Sequence, residues 1–149
     1  MGTDETMAEV MRAVGVLQSG NRAQARELLL DLWDRVEASS DPLQRCTVAH
    51  FLADTGDDPG RELAWDLRAL EAATGGAREG DHDAITPNLA AFLPSLHLNA
   101  GDAYRRLGNT SQAQVHAEAG LRRAHVLADE GYGGTVKAAL ERLQSRLTG

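Results

Sequence analysis

The sequence predicts an all-α protein, on three observations. Apolar residues recur at steps of three and four along most of the chain, as on one face of a helix. No stretch of useful length alternates apolar and polar as a half-buried strand does. Aromatics make up only 4% of the residues while alanine abounds, a composition that suits closely packed helices better than sheets.

Each element follows from its own signals. Met7, Val10, Met11, Val14 and Leu17 form the first apolar stripe, which Gly20-Asn21 ends. A second helix is expected over residues 22–38, with Ala25, Leu28, Leu29, Leu32, Trp33 and Val36 on its apolar side. Asn21 and Gln24 have capping-box spacing at its start. Asp41-Pro42-Leu43-Gln44 carries the same logic with proline in the first turn, and opens a third helix over 42–55. Gly56-Asp57-Asp58-Pro59 breaks the chain. A fourth helix follows to about residue 73, with Leu63, Leu67 and Leu70 on one side. Residues 74–83, with Gly75, Gly76 and Gly80 among polar neighbours, read as a loop. A longer helical stretch covers 87–107, and Pro94 inside it predicts a kink or a break and restart. Gly108-Asn109 turns the chain into a sixth helix over 111–129. Gly131-Tyr132-Gly133-Gly134 reads as a breaker, and Val136, Leu140, Leu143 and Leu147 line the last helix.

Charge and composition exclude several classes of function. The net charge is −7, Lys137 is the only lysine, and the arginines are dispersed among acids. Nucleic-acid binding, which needs clustered cations, is not expected, and an anionic membrane surface is disfavoured for the same reason. No run approaches the roughly 18 apolar residues of a membrane span. Cys46 is the only cysteine, so no internal disulfide forms. The acidic start Met1-Gly2-Thr3-Asp4-Glu5 leads into no apolar signal segment, and a cytoplasmic protein of one domain, residues 1–149, is expected.

Paired helices with short polar turns call for a repeat. Gly20, Gly56 and Gly108 mark three such turns, 36 and 52 residues apart, and the excess of the second interval fits the loop at 74–83 and extra turns before Pro94. Around the third turn, Gly101, Tyr104, Gly108, Ala113, Ala117 and Gly120 stand where small residues and one aromatic let antiparallel helices close up. In these positions the chain resembles the tetratricopeptide repeat. His97 stands where that motif has Trp, Ala100 where it has Leu and His125 where it has Pro. Ala13, Val16, Gly20, Ala25 and Leu29 fit a first repeat loosely, and Ala49, Leu52 and Gly56 a second. The likeness is strongest over residues 94–127. The stretches Phe92-Leu93-Pro94-Ser95-Leu96-His97-Leu98-Asn99 and Glu62-Leu63-Ala64-Trp65-Asp66-Leu67-Arg68 are also similar to small stand-alone tetratricopeptide-repeat proteins of high-GC bacteria. The resemblance implies an α–α superhelix of three helix pairs plus a C-terminal capping helix.

It further implies that the first helix of each pair lines a concave groove. Val10, Val14 and Leu17 would face it from the first pair; Cys46, His50 and Asp54, spaced by four, from the second; Asn99, Asp102 and Arg106 from the third. Asn99 would hold a peptide backbone and Arg106 a carboxylate. The competing reading of Asn99, Asp102 and Arg106 is a polar network within one solvated helix. His50 and Asp54 have the spacing of an acid–base pair, as has any helix with those residues four apart. Cys46, His50, Asp54 and His97 are zinc-ligand types, but Cys46 and Asp54 would lie about 12 Å apart along a helix axis, too far for one ion. Trp33 and Trp65 fit inter-helix packing better than a ligand platform. His82-Asp83 reads as a solvated pair.

The expected function is that of a non-catalytic scaffold or adaptor binding a protein or peptide through His50, Asp54, Asn99, Asp102 and Arg106, with no cofactor and no metal. The rivals are a regulatory or sensory module binding a small molecule or signalling peptide, and an enzyme using His50 and Asp54. The last helix caps the exposed end of the array, and a contact through it or through the N-terminal pair would give a homodimer.

Overall fold

A computed structural model describes residues 3–38, 41–56, 58–75 and 87–148. Among these every regular element is helical: α1 (Thr3–Gln18), α2 (Arg22–Val36), α3 (Pro42–Asp54), α4 (Pro59–Thr74), α5 (Pro87–Arg106), α6 (Thr110–Arg123), a 3-10 turn at Ala124–Val126, and α7 (Gly131–Thr148). The helices fall into two compact units, Met1–Ala72 and Ala73–Gly149. The loop expected at 74–83 lies mostly outside the described residues, as does the His82-Asp83 pair.

In the first unit, α1 and α2 pack against each other and α3 lies against both. Gly20 ends α1 at φ 98°, a left-handed conformation that glycine adopts without penalty. Its N–H reaches the Leu17 carbonyl at 3.1 Å and the Asn21 N–H reaches Val16 at 3.2 Å, the paired bonds of a Schellman turn. The core combines Val10, Ala13 and Val14 of α1 with Leu29, Leu32 and Val36 of α2 and Val48 and Leu52 of α3. Trp33, Phe51 and Trp65 close over this cluster. Trp65 meets Trp33 edge-on, ring centroids 5.2 Å apart, and so fixes α4 to α2, as the inter-helix reading of the tryptophans requires. The buried side of α4 is Asp66, Ala69, Leu70 and Ala73, whereas Leu67 of the expected stripe is 36% exposed.

In the second unit, α5 and α6 form a hairpin and α7 packs on both. The turn repeats the first one: Gly108 at φ 83°, its N–H to Arg105 at 3.0 Å, and the Asn109 N–H to Tyr104 at 2.9 Å. Gly56 does not belong with these two. It has no positive φ, and Asp58 starts the next helix by accepting the Gly60 N–H at 2.9 Å. Small residues make the α5–α6 contact: Ala100, Gly101 and Ala103 against Ala113, Ala117 and Gly120 are all buried. The leucines of α7 enter the notches these residues leave. A Cβ on Gly101 would stand 3.0 Å from Leu143 Cδ2, and one on Gly120 2.7 Å from Leu140 Cδ2.

Four local expectations are corrected. Asn21 makes no side-chain cap. Of the kink or break expected at Pro94, the break is not found: α5 runs unbroken from residue 87 to 106, with the fully buried proline ring filling core space. The sixth helix stops at Arg123 and tightens into the 3-10 turn instead of continuing to 129. The glycines at 131–134 begin α7: side chains at 133 and 134 would run into the backbone of Ala128 and Asp129, so glycine permits the helix start. The Lys137 ammonium then ties α7 back, donating to the Leu127 carbonyl at 2.9 Å and to Asp129 Oδ1 at 2.6 Å.

Candidate functional site

The α3 residues depend on a cap that sets the helix register. Asp41 Oδ1 accepts the N–H groups of Leu43 at 3.0 Å and Gln44 at 3.4 Å, with Pro42 in the first turn. One face of α3 then carries Cys46, His50 and Asp54, and it grades from core to solvent. Cys46 is wholly buried, His50 half-buried and Asp54 exposed. Burial pushes the Cys46 thiol up to about 12, so at neutral pH it is neither a thiolate nucleophile nor a ready metal ligand. Burial holds the His50 imidazole below its ordinary range, with the Asp54 charge acting the other way. Desolvation also raises the Asp54 carboxyl, against the pull of His50. The His50 ring packs on Phe51 with centroids 4.9 Å apart. Val10, Val14 and Cys46, expected on a groove surface, are core residues: their helix face is covered by apolar side chains or closed to solvent.

On α5, Asp102 gathers the charge. Its Oδ1 accepts from Arg105 Nε at 3.2 Å and Nη2 at 2.9 Å, and its Oδ2 accepts from Arg106 Nε at 3.0 Å. Spacings of three and four place all three side chains on one helix side. Arg106 is therefore engaged within its own helix, as the intrahelical reading has it, and Asn99 lies half-buried one turn before Asp102. His50 and Asp54 belong to the first unit, and Asn99, Asp102 and Arg106 to the second.

A further cluster joins α5 to α6. The Nδ1 atoms of His97 and His116 are 3.0 Å apart, and Tyr104 stacks on His116 with centroids at 5.4 Å and planes 20° apart. Burial, then the neighbouring His116, Arg123 and Arg122, drive the His97 imidazole down to about 3. Burial also lowers His116. Sequence spacing did not find this pair, because nineteen positions and a helical turn separate its members; only His97, at the motif's aromatic position, carried a signal.

No family model, curated protein or solved structure matches this chain.

Among the described residues, no group of three or more His, Cys, Asp and Glu side chains is placed to hold a metal ion. No described helix is long and apolar enough to cross a membrane. What the first unit does contain is a cleft of about 240 Å³ between α2, the end of α3 and the start of α4. Arg26 and Leu30, four apart on α2, form one wall; Asp58, Arg61 and Trp65, spaced by three and four, form the other; Leu52 and Thr55 form the floor. The Arg26 guanidinium is anchored, donating to the Thr55 carbonyl and, at 3.4 Å, to its hydroxyl oxygen. Sequence reading placed Trp65 in inter-helix packing ahead of a ligand platform and gave Arg26 and Arg61 no role. The signal was present as an arginine four residues before an apolar residue on each helix.

Proposed function

We propose that the chain is a non-catalytic tetratricopeptide-like scaffold, built as repeat units of an α–α superhelix, that binds a protein or peptide partner. The observation that carries this reading is the repeated turn. Gly20-Asn21 and Gly108-Asn109 close their helix pairs with the same two backbone hydrogen bonds and the same left-handed glycine, and each pair receives a third helix across it. Stacked helical hairpins present side chains of their first helices to extended ligands. Here those would be His50 and Asp54 on α3, and Asn99, Asp102 and Arg106 on α5. The thiol of Cys46 is closed off in the core and held protonated, and the guanidiniums of Arg105 and Arg106, held by Asp102, suit recognition better than bond-breaking.

The test is peptide selection from a displayed random library, followed by fluorescence anisotropy on the selected peptides. Arg106→Ala weakens binding about tenfold or more, the value of a lost charge-assisted contact, and His50→Ala weakens it by the smaller factor of a neutral hydrogen bond. Glu118→Ala, on an exposed part of α6, leaves it unchanged. Equal affinity in all three variants would overturn the assignment of these residues.

A further inference from the structure

The cleft of the first unit differs from a packing defect in its chemistry. Its apolar lining is Leu52, which is buried, with Leu30 and the Trp65 ring. Two guanidiniums border it, and they are in different states. Arg26 is fixed by Thr55, whose own hydroxyl is fixed by donating to the Leu52 carbonyl at 2.7 Å. Arg61, by contrast, makes no hydrogen bond or ion pair among the described residues. The one acid among the described lining residues, Asp58, already accepts the Gly60 N–H. Among the described lining residues two cations stand against one anion, in a chain whose total charge is −7. Trp65 is itself held in place, with Trp33 at its edge and the Arg68 guanidinium 4.4 Å over its ring.

We propose that this cleft binds a small apolar carboxylic acid, its carboxylate between Arg61 and Arg26 and its hydrocarbon part against Trp65, Leu30 and Leu52. Three arguments select that class. A guanidinium fork matches a planar carboxylate in two hydrogen bonds. The two guanidiniums fit a monoanion, whereas Asp58 on the same lining opposes the second charge of a phosphate monoester. The volume lies between the roughly 150 Å³ that accepts benzene and the roughly 300 Å³ where pockets for larger ligands begin, so it holds an acid of phenyl or indole size and no long chain. This site is separate from the peptide-facing residues of α3 and α5, and either assignment stands or falls without the other.

The probe is 3-phenylpropionate, titrated into the full chain while the Trp65 indole N–H and the arginine Nε–H signals are followed by NMR. The acid produces a saturable shift at Trp65 and Arg61. The corresponding alcohol, 3-phenylpropanol, binds at least about tenfold more weakly, as loss of a charge-assisted bond requires. Arg61→Gln, at an exposed position that leaves the core intact, weakens the acid by a similar factor and leaves the alcohol unchanged. Phenyl phosphate binds more weakly than the acid. No saturable shift, equal binding of acid and alcohol, or an unaltered Arg61→Gln variant overturns the proposal. A peptide ending in Phe that binds more tightly than the free acid overturns its small-molecule part.

Discussion

His97 and His116 face each other through their Nδ1 atoms at 3.0 Å, across the contact of α5 with α6. One ring must donate and the other accept, so the pair holds together only while at least one of them is neutral.

Acid should therefore loosen the second unit. His97 titrates near about 3 in the folded chain, against about 6.5 when unfolded. Above pH 6.5 both states are neutral and the full stability is present. As pH falls below that, the unfolded chain takes up a proton that the folded chain refuses, and stability declines until the folded pKa is reached. His116, Arg122 and Arg123 all act in this direction. The loss by pH 4 should be at most a few kcal/mol, lessened because the rings are only half-buried. Urea unfolding at pH 7.5 and 4.5 measures it, and His97→Gln should flatten the difference. His50, in the first unit, adds a loss of the same sign, which His50→Gln removes separately.

Gly120→Ala tests the seat of α7. The added methyl group would stand 2.7 Å from Leu140 Cδ2 and 3.2 Å from His97 Cβ. Overpacking of this kind costs about 1–3 kcal/mol, and the better helix propensity of alanine returns about 1. A net loss of roughly 1 kcal/mol is expected in thermal unfolding. It should shrink when Leu140 is also cut to Ala, because the two sites share the collision.

The three polar residues at helix starts should behave differently. Asp41→Ala removes a side chain that accepts two N–H groups and should cost about 1 kcal/mol. Asn109→Ala removes the acceptor of the Gln112 N–H at 3.1 Å and should cost a similar amount. Asn21→Ala removes no cap and should change stability by less than about 0.5 kcal/mol. Chemical denaturation of the three variants gives the comparison.

Asp102→Asn frees Arg105 and Arg106 from their shared carboxylate. Such a half-exposed pair contributes only about 0–1 kcal/mol to stability, so the fold should be little affected. Binding of any acidic peptide by this face of α5 should strengthen instead, as fluorescence anisotropy at low salt would register.

Helix existence was legible because it rests on local periodicity, and Asp41-Pro42 was legible because a cap is a contact between near neighbours. The fate of the glycines was not. Gly20-Asn21 and Gly108-Asn109 look alike and fold alike in the backbone, yet only Asn109 caps with its side chain. Gly133 and Gly134, residues of an expected breaker, open a helix instead, because the nearby backbone of Ala128 and Asp129 leaves no room for Cβ atoms. Val10, Val14 and Cys46 were read as groove residues from position in a pair, but the direction an apolar stripe faces depends on the helices packed over it. The histidine pair and the arginine-bordered cleft bring together residues distant along the chain, and no single-helix pattern encodes such meetings.

The burial of Cys46 makes the chain's single thiol a clock. A disulfide reagent in solution meets sulfur only during the moments when the surroundings of α3 part, because the closed state both shields the thiol and holds it protonated. The modification rate of the native protein, set beside that of the denatured chain, therefore counts how often this region breathes, without any label having been introduced.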